Sequence, residues 1–288
     1  WAHITGNKQV LVDVVELLEL PVARERFDDD GANDAEFNRG IELANVSFRY
    51  NSDQTPVLKN INLSIEKGSV VGIMGKTGSG KSTIIDLIMG LQQPTSGKIT
   101  IDGHVLDKSR TGAWQKQIAH VPQTIFLQDA SIAQNIAFGI DPEKIDMERV
   151  REAARLAQIS EYIESQPEGY TAMVGERGVR MSGGQRQRIG IARALYKQAT
   201  VLVLDEATSA LDSFTEAAVM DAIKNLPGDI TVMLIAHRLS DMENWDGVVE
   251  LDHGKIVAEG SFAEVVTPKA GADVPANAAG SEQYSLSA

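Results

Sequence analysis

The chain has 288 residues, no cysteine and a formal net charge of −13. The length provides for one large domain or two modest ones with an ample core. The lack of cysteine excludes disulfides and thiolate metal sites, and no apolar run is long enough to predict a membrane span. The negative charge argues against broad nucleic-acid binding, which needs a basic surface, so we expect no nucleic-acid partner.

The N-terminal part combines a short amphipathic pattern with an acidic stretch. Apolar residues such as Leu11, Val14 and Leu18 have near-helical spacing, and the pattern ends at the next proline. Residues 24–39 are acidic and contain glycine, which is typical of an exposed linker. The sequence therefore predicts an amphipathic helix followed by an exposed linker.

The remaining elements follow in chain order. Residues 41–50 and 58–65 alternate apolar and polar side chains, as half-buried antiparallel strands do. Residues 99–101, followed by Asp-Gly, predict another strand and a turn. Residues 130–184 are mostly helical in pattern, and helices and strands alternate after them. Residues 269–288 are rich in Ala, Gly and Ser with few hydrophobic residues, which predicts a disordered tail.

A glycine-rich loop lies between a predicted buried strand at 69–74 and a predicted helix at 83–89. The loop fits G-x-x-x-x-G-K-[ST], the phosphate-binding P-loop, with Lys81 on the β- and γ-phosphates and Ser82 on Mg²⁺. The alternative is an ordinary glycine-rich turn that matches by chance. The predicted nucleotide-contacting residues of the loop are Gly75, Lys76, Thr77, Gly78, Ser79, Gly80, Lys81, Ser82 and Thr83.

An apolar run that ends in two acids, VLVLDE, occupies residues 201–206. Such a run is typical of a fully buried parallel strand, and acids at its carboxyl end lie where α/β sheets hold their ligands. We expect Asp205 to complete the Mg²⁺ shell and Glu206 to act as general base on the attacking water. The alternative is a pair of N-capping acids for a helix that starts near Ala207.

The sequence MSGGQRQR at 181–188 resembles the LSGGQ signature of the ATP-binding-cassette (ABC) ATPases. Met181 departs from the usual leucine, which is a volume-conserving change. The resemblance covers roughly residues 40–268. It implies an α/β fold with a P-loop NTPase (RecA-like) core, an antiparallel β subdomain and an inserted α-helical subdomain at about 125–188.

The resemblance also implies ligands and partners for the signature. ATP is expected with Mg²⁺, and the signature acts on ATP held by the opposite subunit of a dimer. The alternative for the Ser-Gly-Gly run is a simple helix cap. The signature residues expected to contact that ATP are Ser182, Gly183, Gly184 and Gln185.

Other motifs of the family follow in order. Tyr50 resembles the aromatic residue that stacks on adenine, and Gln123 matches the Q-loop glutamine that touches Mg²⁺ and senses the membrane partner. Asp212 belongs to SALD at 209–212, which matches the D-loop at the dimer interface, and His237 matches the histidine that contacts the γ-phosphate. Each has a simpler alternative. Tyr50 could be a core aromatic and Gln123 a solvated glutamine. The SALD sequence could be a helix-terminal turn, and His237 a structural histidine. The resemblance thus implies the catalytic residues Glu206, His237, Lys81 and Gln123, and the metal ligands Ser82, Gln123 and Asp205.

The sequence GERG at 175–178 resembles the x-loop of exporter-type cassettes, which meets the transmembrane coupling helices. Residues 1–39 fit the end of a transmembrane-domain helix and its acidic linker, so we expect the chain from Trp1 to be the ATPase part of a half-transporter. Residues 121–123, 136–139 and 211–220 also resemble cassettes that flip lipid-linked oligosaccharides or export polysaccharides. The expected partners are the transmembrane domain of the same half-transporter and a second nucleotide-binding domain, at the cytoplasmic face of a membrane.

The residues therefore predict the ATP-binding and hydrolysing domain of an ABC exporter, which dimerises on ATP to drive export or flipping of a substrate. One alternative is a soluble cassette ATPase that moves no solute, against which the single cassette without a long insertion argues. Another is a binding-only regulatory cassette, against which intact Glu206 and His237 argue.

Overall fold

The computed structural model describes residues 37–51, 55–208, 210–225, 230–235 and 245–266, together with Val12, Val14 and Val15. These three valines are helical and exposed. Most of the predicted linker, the predicted tail at 269–288 and His237 lie outside the described residues. Of the helices that the structure describes, none is both long and apolar enough to cross a bilayer.

The described part of the chain contains ten strands and eight α-helices. The strands are β1 (Gly40–Phe48), β2 (Leu58–Glu66), β3 (Val70–Gly75), β4 (Ser96–Ile101), β5 (His104–Val105), β6 (Ile118–Val121), β7 (Val201–Asp205), β8 (Thr231–Ile235), β9 (Gly247–Asp252) and β10 (Lys255–Gly260). The helices are α1 (Lys81–Ile88), α2 (Lys108–Lys116), α3 (Ile132–Ile136), α4 (Met147–Leu156), α5 (Ser160–Ser165), α6 (Gly183–Lys197), α7 (Ser213–Lys224) and α8 (Phe262–Val266).

Two sheets organise these elements. The smaller sheet has the order β2-β1-β4-β5 and is antiparallel throughout. The larger has the order β10-β9-β3-β8-β7-β6, in which β9, β3, β8, β7 and β6 are parallel and β10 is antiparallel to β9. The predicted α/β class, with an antiparallel sheet and a helix-rich stretch between β6 and β7, is confirmed.

The larger sheet is buried on both faces because its strands alternate between two cores. Leu202 and Leu204 of β7 belong to a core shared with helices α3 to α7, whereas Val201 and Val203 belong to a core shared with α1 and the smaller sheet. A strand with both faces covered reads as a continuous apolar run. This packing explains the sequence VLVL and holds the carboxyl ends of the parallel strands at one edge.

The turn between β4 and β5 anchors the start of the smaller sheet. The carboxylate of Asp102 accepts the backbone N–H groups of Asn38, Arg39 and Gly40 at 2.6, 2.7 and 2.9 Å. Nearby, the Nε1 of Trp114 donates to the carbonyl oxygen of Ile88 at 2.7 Å and thereby joins α2 to the end of α1. These bonds attach the segment that leads into β1 to the β4–β5 turn, and they attach the end of α1 to α2.

Candidate nucleotide-binding and catalytic site

The P-loop predicted from the sequence lies between β3 and α1. Gly75 has φ 143° and Gly80 has φ 107°, a region that favours glycine. A Cβ on Gly75 would lie 2.2 Å from the carbonyl oxygen of Leu251, and one on Gly80 would lie 2.6 Å from Leu58 Cδ2. Gly78, in contrast, faces open space. The loop is therefore closely supported on its inner side and open on its outer side, where a ligand can approach the backbone.

The loop presents donors that suit an anion. Lys81 is 7% exposed, and its Nζ donates to the carbonyl oxygens of Gly75 at 2.8 Å and Lys76 at 3.2 Å. The hydroxyl of Ser79 is buried and has no hydrogen-bond partner in the structure. A buried ammonium, an unpartnered hydroxyl and the N-terminus of α1 together fit the phosphates of a nucleotide.

The three predicted metal ligands lie at the carboxyl edge of the larger sheet. Ser82 is in the first turn of α1 after β3, Asp205 ends β7, and Gln123 follows β6 by two residues. The described ranges contain no group of three or more His, Cys, Asp or Glu that could hold a metal. Mg²⁺ is usually bound by one or two carboxylates together with substrate phosphates. The donor set therefore fits Mg²⁺ that binds together with a nucleotide.

The carboxylate of Glu206 is paired with the side chain of Gln123. Gln123 Nε2 donates to Glu206 Oε2 at 2.6 Å, so two residues predicted separately are brought into contact. Glu206 also has φ 51°, in the left-handed region that a residue with a Cβ seldom adopts. The sequence pattern predicted neither the contact nor this conformation, because both depend on how β6 and β7 come together.

A second acid, Asp86, adds negative charge near this edge. Burial raises the pKa of Asp86, the neighbouring His120 lowers it in part, and the negative charge of Asp205 raises it further. Sequence reasoning missed Asp86 and His120, although an aspartate within the apolar run of α1 was a visible signal. An accumulation of negative charge beside Asp205 is favourable for a divalent cation.

The loop that follows Gln123 is held against α6. The guanidinium of Arg193 donates to the carbonyl oxygens of Asn135 at 2.9 Å and Phe126 at 3.1 Å, and it stacks on Phe138 with 4.5 Å to the ring centroid. Because Arg193 is on the same helix that begins with the signature, α6 supports both the signature and the loop carrying Gln123.

The signature forms the N-terminus of α6. Ser182 is its N-cap: the hydroxyl accepts from Gln185 N–H at 3.2 Å, and Ser182 N–H donates to Gln185 Oε1 at 2.8 Å. The cap considered as an alternative is therefore present. Ser182 and Gly183 are also exposed, and Gly184 and Gln185 are partly so. Capping and exposure are compatible, because a capped helix N-terminus still presents its first N–H groups to an anion.

The D-loop residue Asp212 is the N-cap of α7. Its carboxylate accepts from Thr215 N–H at 3.0 Å and from the Thr215 hydroxyl at 2.7 Å. The N–H of Thr215, followed by its hydroxyl, lowers the pKa of Asp212. Because this helix begins at Ser213, the idea of a helix starting near Ala207, capped by Asp205 and Glu206, is wrong.

Of two further predicted site residues, Tyr50 and His237, the structure describes only Tyr50. Tyr50 is 52% exposed, so the alternative of a core aromatic is wrong; its hydroxyl lies 3.1 Å from Thr83 Oγ1, and its ring meets the edge of Phe48. It therefore offers an accessible ring next to the helix that follows the P-loop. His237 lies outside the described residues.

Gln187 is a site residue that sequence reasoning missed. Its side chain is buried in α6 and contacts the backbone on both sides of the turn after β7. The signal was weak, since Gln187 reads as the polar tail of the signature motif.

Comparisons with known proteins agree with this geometry. Residues 58–209 match the family model described as ABC transporter. An ATP-dependent lipid A-core flippase of Alkalilimnicola ehrlichii is 43% identical over 254 residues, which are 88% of this chain and 42% of the relative. A putative multidrug export ATP-binding/permease protein of Staphylococcus aureus is 44% identical over 237 residues, 82% of this chain and 41% of the relative.

A solved structure is similar over nearly the same extent. The structure of a bacterial Atm1-family ABC exporter with ATP bound has a TM-score of 0.80 and 35% identity, and the match covers 89% of this chain and 45% of that one. The chain thus spans less than half the length of these relatives. The predicted resemblance to exporter-type cassettes is confirmed, and the chain belongs to the ABC transporter family as an ATP-binding ATPase domain of the exporter type.

Proposed function

We propose that this chain binds ATP with Mg²⁺ and hydrolyses it between the P-loop and Glu206, and that this reaction drives export or flipping of a substrate across a membrane. The observation that carries the proposal is the 2.6 Å contact between Gln123 Nε2 and Glu206 Oε2 at the edge where the P-loop helix begins. This contact brings a carboxylate and an amide to the place where a γ-phosphate and its attacking water would lie.

The P-loop supplies binding and charge stabilisation. Lys81 Nζ exchanges its present carbonyl partners for oxygens of the β- and γ-phosphates, while the backbone N–H groups of residues 76–82 donate to the same phosphates. Tyr50 stacks its exposed ring on the adenine. Mg²⁺ would be held by Ser82, Gln123 and Asp205, where it neutralises charge on the phosphates.

Glu206 performs the proton transfer. Its carboxylate accepts a proton from the attacking water, and the amide of Gln123 holds the carboxylate in place before the water binds. His237, by the family resemblance, donates to the γ-phosphate. Catalysis of this kind consists mainly of positioning and electrostatic stabilisation, which a rigid sheet edge can provide.

The complete site needs a second copy or a homologous cassette. The exposed N-terminus of α6 with Ser182, Gly183, Gly184 and Gln185, and the D-loop with Asp212, would contact ATP held by the P-loop of the partner. Residues 40–268 would form the ATPase domain, with the helices at about 125–188 as its helical subdomain. One relative is named a flippase and another a putative multidrug export protein, which supports this arrangement over a cassette that moves no solute.

The wider assembly follows from the same family. Residues 1–39 would lead from a transmembrane-domain helix through an acidic linker, and residues 269–288 would form a tail. The x-loop at 175–178, which includes the turn Glu176–Gly178 just before the signature, would meet the membrane domain at the cytoplasmic face. Relatives named lipid A-core flippase favour a lipid-linked saccharide as the class of substrate.

The test is the molar mass of the Glu206→Gln variant, measured by light scattering with and without Mg²⁺ and ATP. We expect the mass to double only with both ligands, because the variant keeps the phosphate site but cannot deprotonate water. Steady-state hydrolysis should fall by about two decades or more, as expected for removal of a general base.

The matched control is Lys81→Ala, which removes the buried ammonium but leaves Glu206 intact. This variant should neither bind ATP tightly nor dimerise. Normal hydrolysis by Glu206→Gln would overturn the role of the glutamate, and measurable hydrolysis by the unmodified protein excludes a binding-only cassette.

A further inference from the structure

The side chain of Gln187 bridges two pieces of backbone that have separate roles in the proposed site. Gln187 is 4% exposed in the second turn of α6. Its Nε2 donates to the carbonyl oxygen of Glu206 at 3.2 Å, and its Oε1 accepts the N–H of Ala210 at 2.9 Å. One buried amide therefore joins the residue of the proposed general base to the D-loop.

The backbone of Glu206 needs such support. With φ at 51°, this residue occupies a region in which its Cβ is crowded, and conformations of this kind persist only where the surroundings over-determine them. The contact with Gln123 holds the carboxylate end of the residue. The contact with Gln187 holds its carbonyl group, so the two bonds together define the direction of the side chain.

We propose that Gln187 is a positioning residue for ATP hydrolysis, which fixes the main chain of Glu206 and couples it to the D-loop and the signature helix. The inference rests on the proposed function, in which Glu206 is the general base. Gln187 touches neither phosphate nor water in this arrangement; it acts through Glu206 and Ala210.

Gln187 lies between Glu206 and two segments, the signature and the D-loop, that would contact the second cassette. Ser182, the exposed N-cap of α6, is five residues away on the same helix, and Ala210 is two residues before Asp212 in the D-loop. Both ends would face the second cassette. We expect movement of either one on closure of the dimer to reach the backbone of Glu206 through the amide of Gln187, so that hydrolysis depends on closure.

The first test is Gln187→Met, which keeps a similar side-chain length but removes both hydrogen bonds. In the full-length gene product we expect kcat for ATP hydrolysis to fall about 10- to 100-fold, since a small misplacement of a catalytic group has effects of this order. The KM for ATP should stay within about two-fold, because the P-loop is untouched.

The matched control is Tyr196→Phe in the same helix, which removes the bond from the backbone N–H of Asp146 to the tyrosine hydroxyl. It should lower thermal stability by a similar amount without changing kcat. If both variants lose kcat in proportion to their stability, Gln187 has only a structural role and the proposal fails.

The second test is the pH dependence of ATP hydrolysis by Gln187→Glu. It also tests the positioning role of Gln187 if the methionine variant does not fold. A carboxyl group at this buried position has a raised pKa. When protonated, it reproduces both bonds, because its O–H donates to Glu206 and its carbonyl oxygen accepts from Ala210. When ionised, it opposes the carbonyl oxygen of Glu206.

The ATPase activity of Gln187→Glu relative to the unmodified protein should therefore rise as the pH is lowered from about 8 to about 6. The pKa values of buried glutamates can lie in this range. A ratio that is independent of pH would overturn the proposal. The Glu206→Gln variant separates the two ideas: if it hydrolyses ATP normally, the proposed function fails, whereas if it is inactive and Gln187→Met has a normal kcat, only the positioning role fails.

Discussion

The carboxylate of Asp102 stabilises the segment at residues 38–40, where β1 begins. It has φ 53° and accepts three consecutive backbone N–H groups from residues 38–40. Partial burial raises the pKa of Asp102, but these three bonds and the charge of Arg39 lower it further, so the net pKa is below its usual value. The stability that it contributes is therefore fully present above the unfolded pKa and is lost as the pH falls through the folded one.

We predict that Asp102→Asn lowers the free energy of unfolding at pH 7 by about 1–2 kcal/mol, because an amide oxygen is a weaker acceptor than a carboxylate and its second polar atom is a donor. Urea unfolding measures the change. The difference from the unmodified protein should shrink below pH 3.8, the ordinary pKa of the group. Asp129→Asn, at an exposed aspartate, is the control; an equal loss there would contradict the assignment.

At this scale the sequence predicts best the residues whose spacing carries the chemistry. The placement of Lys81 and Ser82 at the start of a helix and of Asp205 at the end of a buried strand could be predicted, because a P-loop and an acid-terminated strand have short local patterns. The contacts of Gln187 could not be predicted, since they are made with a turn that lies about 20 residues later in the chain. The left-handed backbone of Glu206 likewise results from tertiary contacts and has no local signal.

Among the elements, α6 is packed so closely against the Q-loop segment that one of its positions favours glycine. A Cβ on Gly190 would lie 2.4 Å from Cδ1 and 2.8 Å from Cγ1 of Ile125, two residues after Gln123. Glycine in a helix interior is destabilising relative to alanine, but at this position it allows close contact between α6 and the loop.

We predict that Gly190→Ala does not stabilise the protein, because about 1–3 kcal/mol of overpacking outweighs the gain in helix propensity of about 0.5–1 kcal/mol. Displacement of Ile125 should also lower the rate of ATP hydrolysis. Thermal unfolding and steady-state kinetics measure both effects.

The control is Gly112→Ala in α2, where a Cβ meets nothing within 4 Å. This change should stabilise the protein and leave hydrolysis unchanged. Equal stabilisation by both substitutions would show that Ile125 moves aside without cost.

Sequence patterns indicate some of these elements more closely than others, for physical reasons. The strands around the P-loop were located closely, because alternation and continuous apolar runs report burial directly. The helix that the capping alternative placed near Ala207 begins at Ser213, because the chain first makes the turn that Gln187 contacts. Sequence periodicity cannot distinguish such a turn from the first turn of a helix.

Across the whole molecule, the helices between β6 and β7 share a core with the larger sheet. Ile159, at the start of α5, belongs to the same buried cluster as Leu204 of β7 and Val248 of β9. Ile61 of β2 belongs to the cluster on the other face of that sheet. Because strands β7 and β9 contribute to both clusters, the two halves should unfold together.

We predict that Ile159→Ala and Ile61→Ala each lower the free energy of unfolding by about 2–5 kcal/mol within a single transition. Circular dichroism and tryptophan fluorescence measure this, since Trp114 and Trp245 report one cluster each. A separate early transition in Ile159→Ala alone would show that the helices fold independently of the sheet.

The family and the architecture could be predicted at this largest scale, because several short motifs follow one another in the order typical of an ABC cassette, and residues 58–209 match the family model. The strand order β3-β8-β7-β6, which brings the P-loop, Asp205 and Gln123 to the same edge of the sheet, could not be predicted.

The support of the P-loop by β9 has a consequence for how the protein is made. The N–H of Gly254, next to β9, donates to the carbonyl oxygen of Ser79 at 3.0 Å, and Leu251 closes on Gly75. Gly254 follows Ser79 by 175 residues, and at about 5–20 residues per second their synthesis takes about 9–35 s. The loop therefore leaves the ribosome long before it can take its folded shape, and nucleotide binding marks a chain whose last sheet strands have been made.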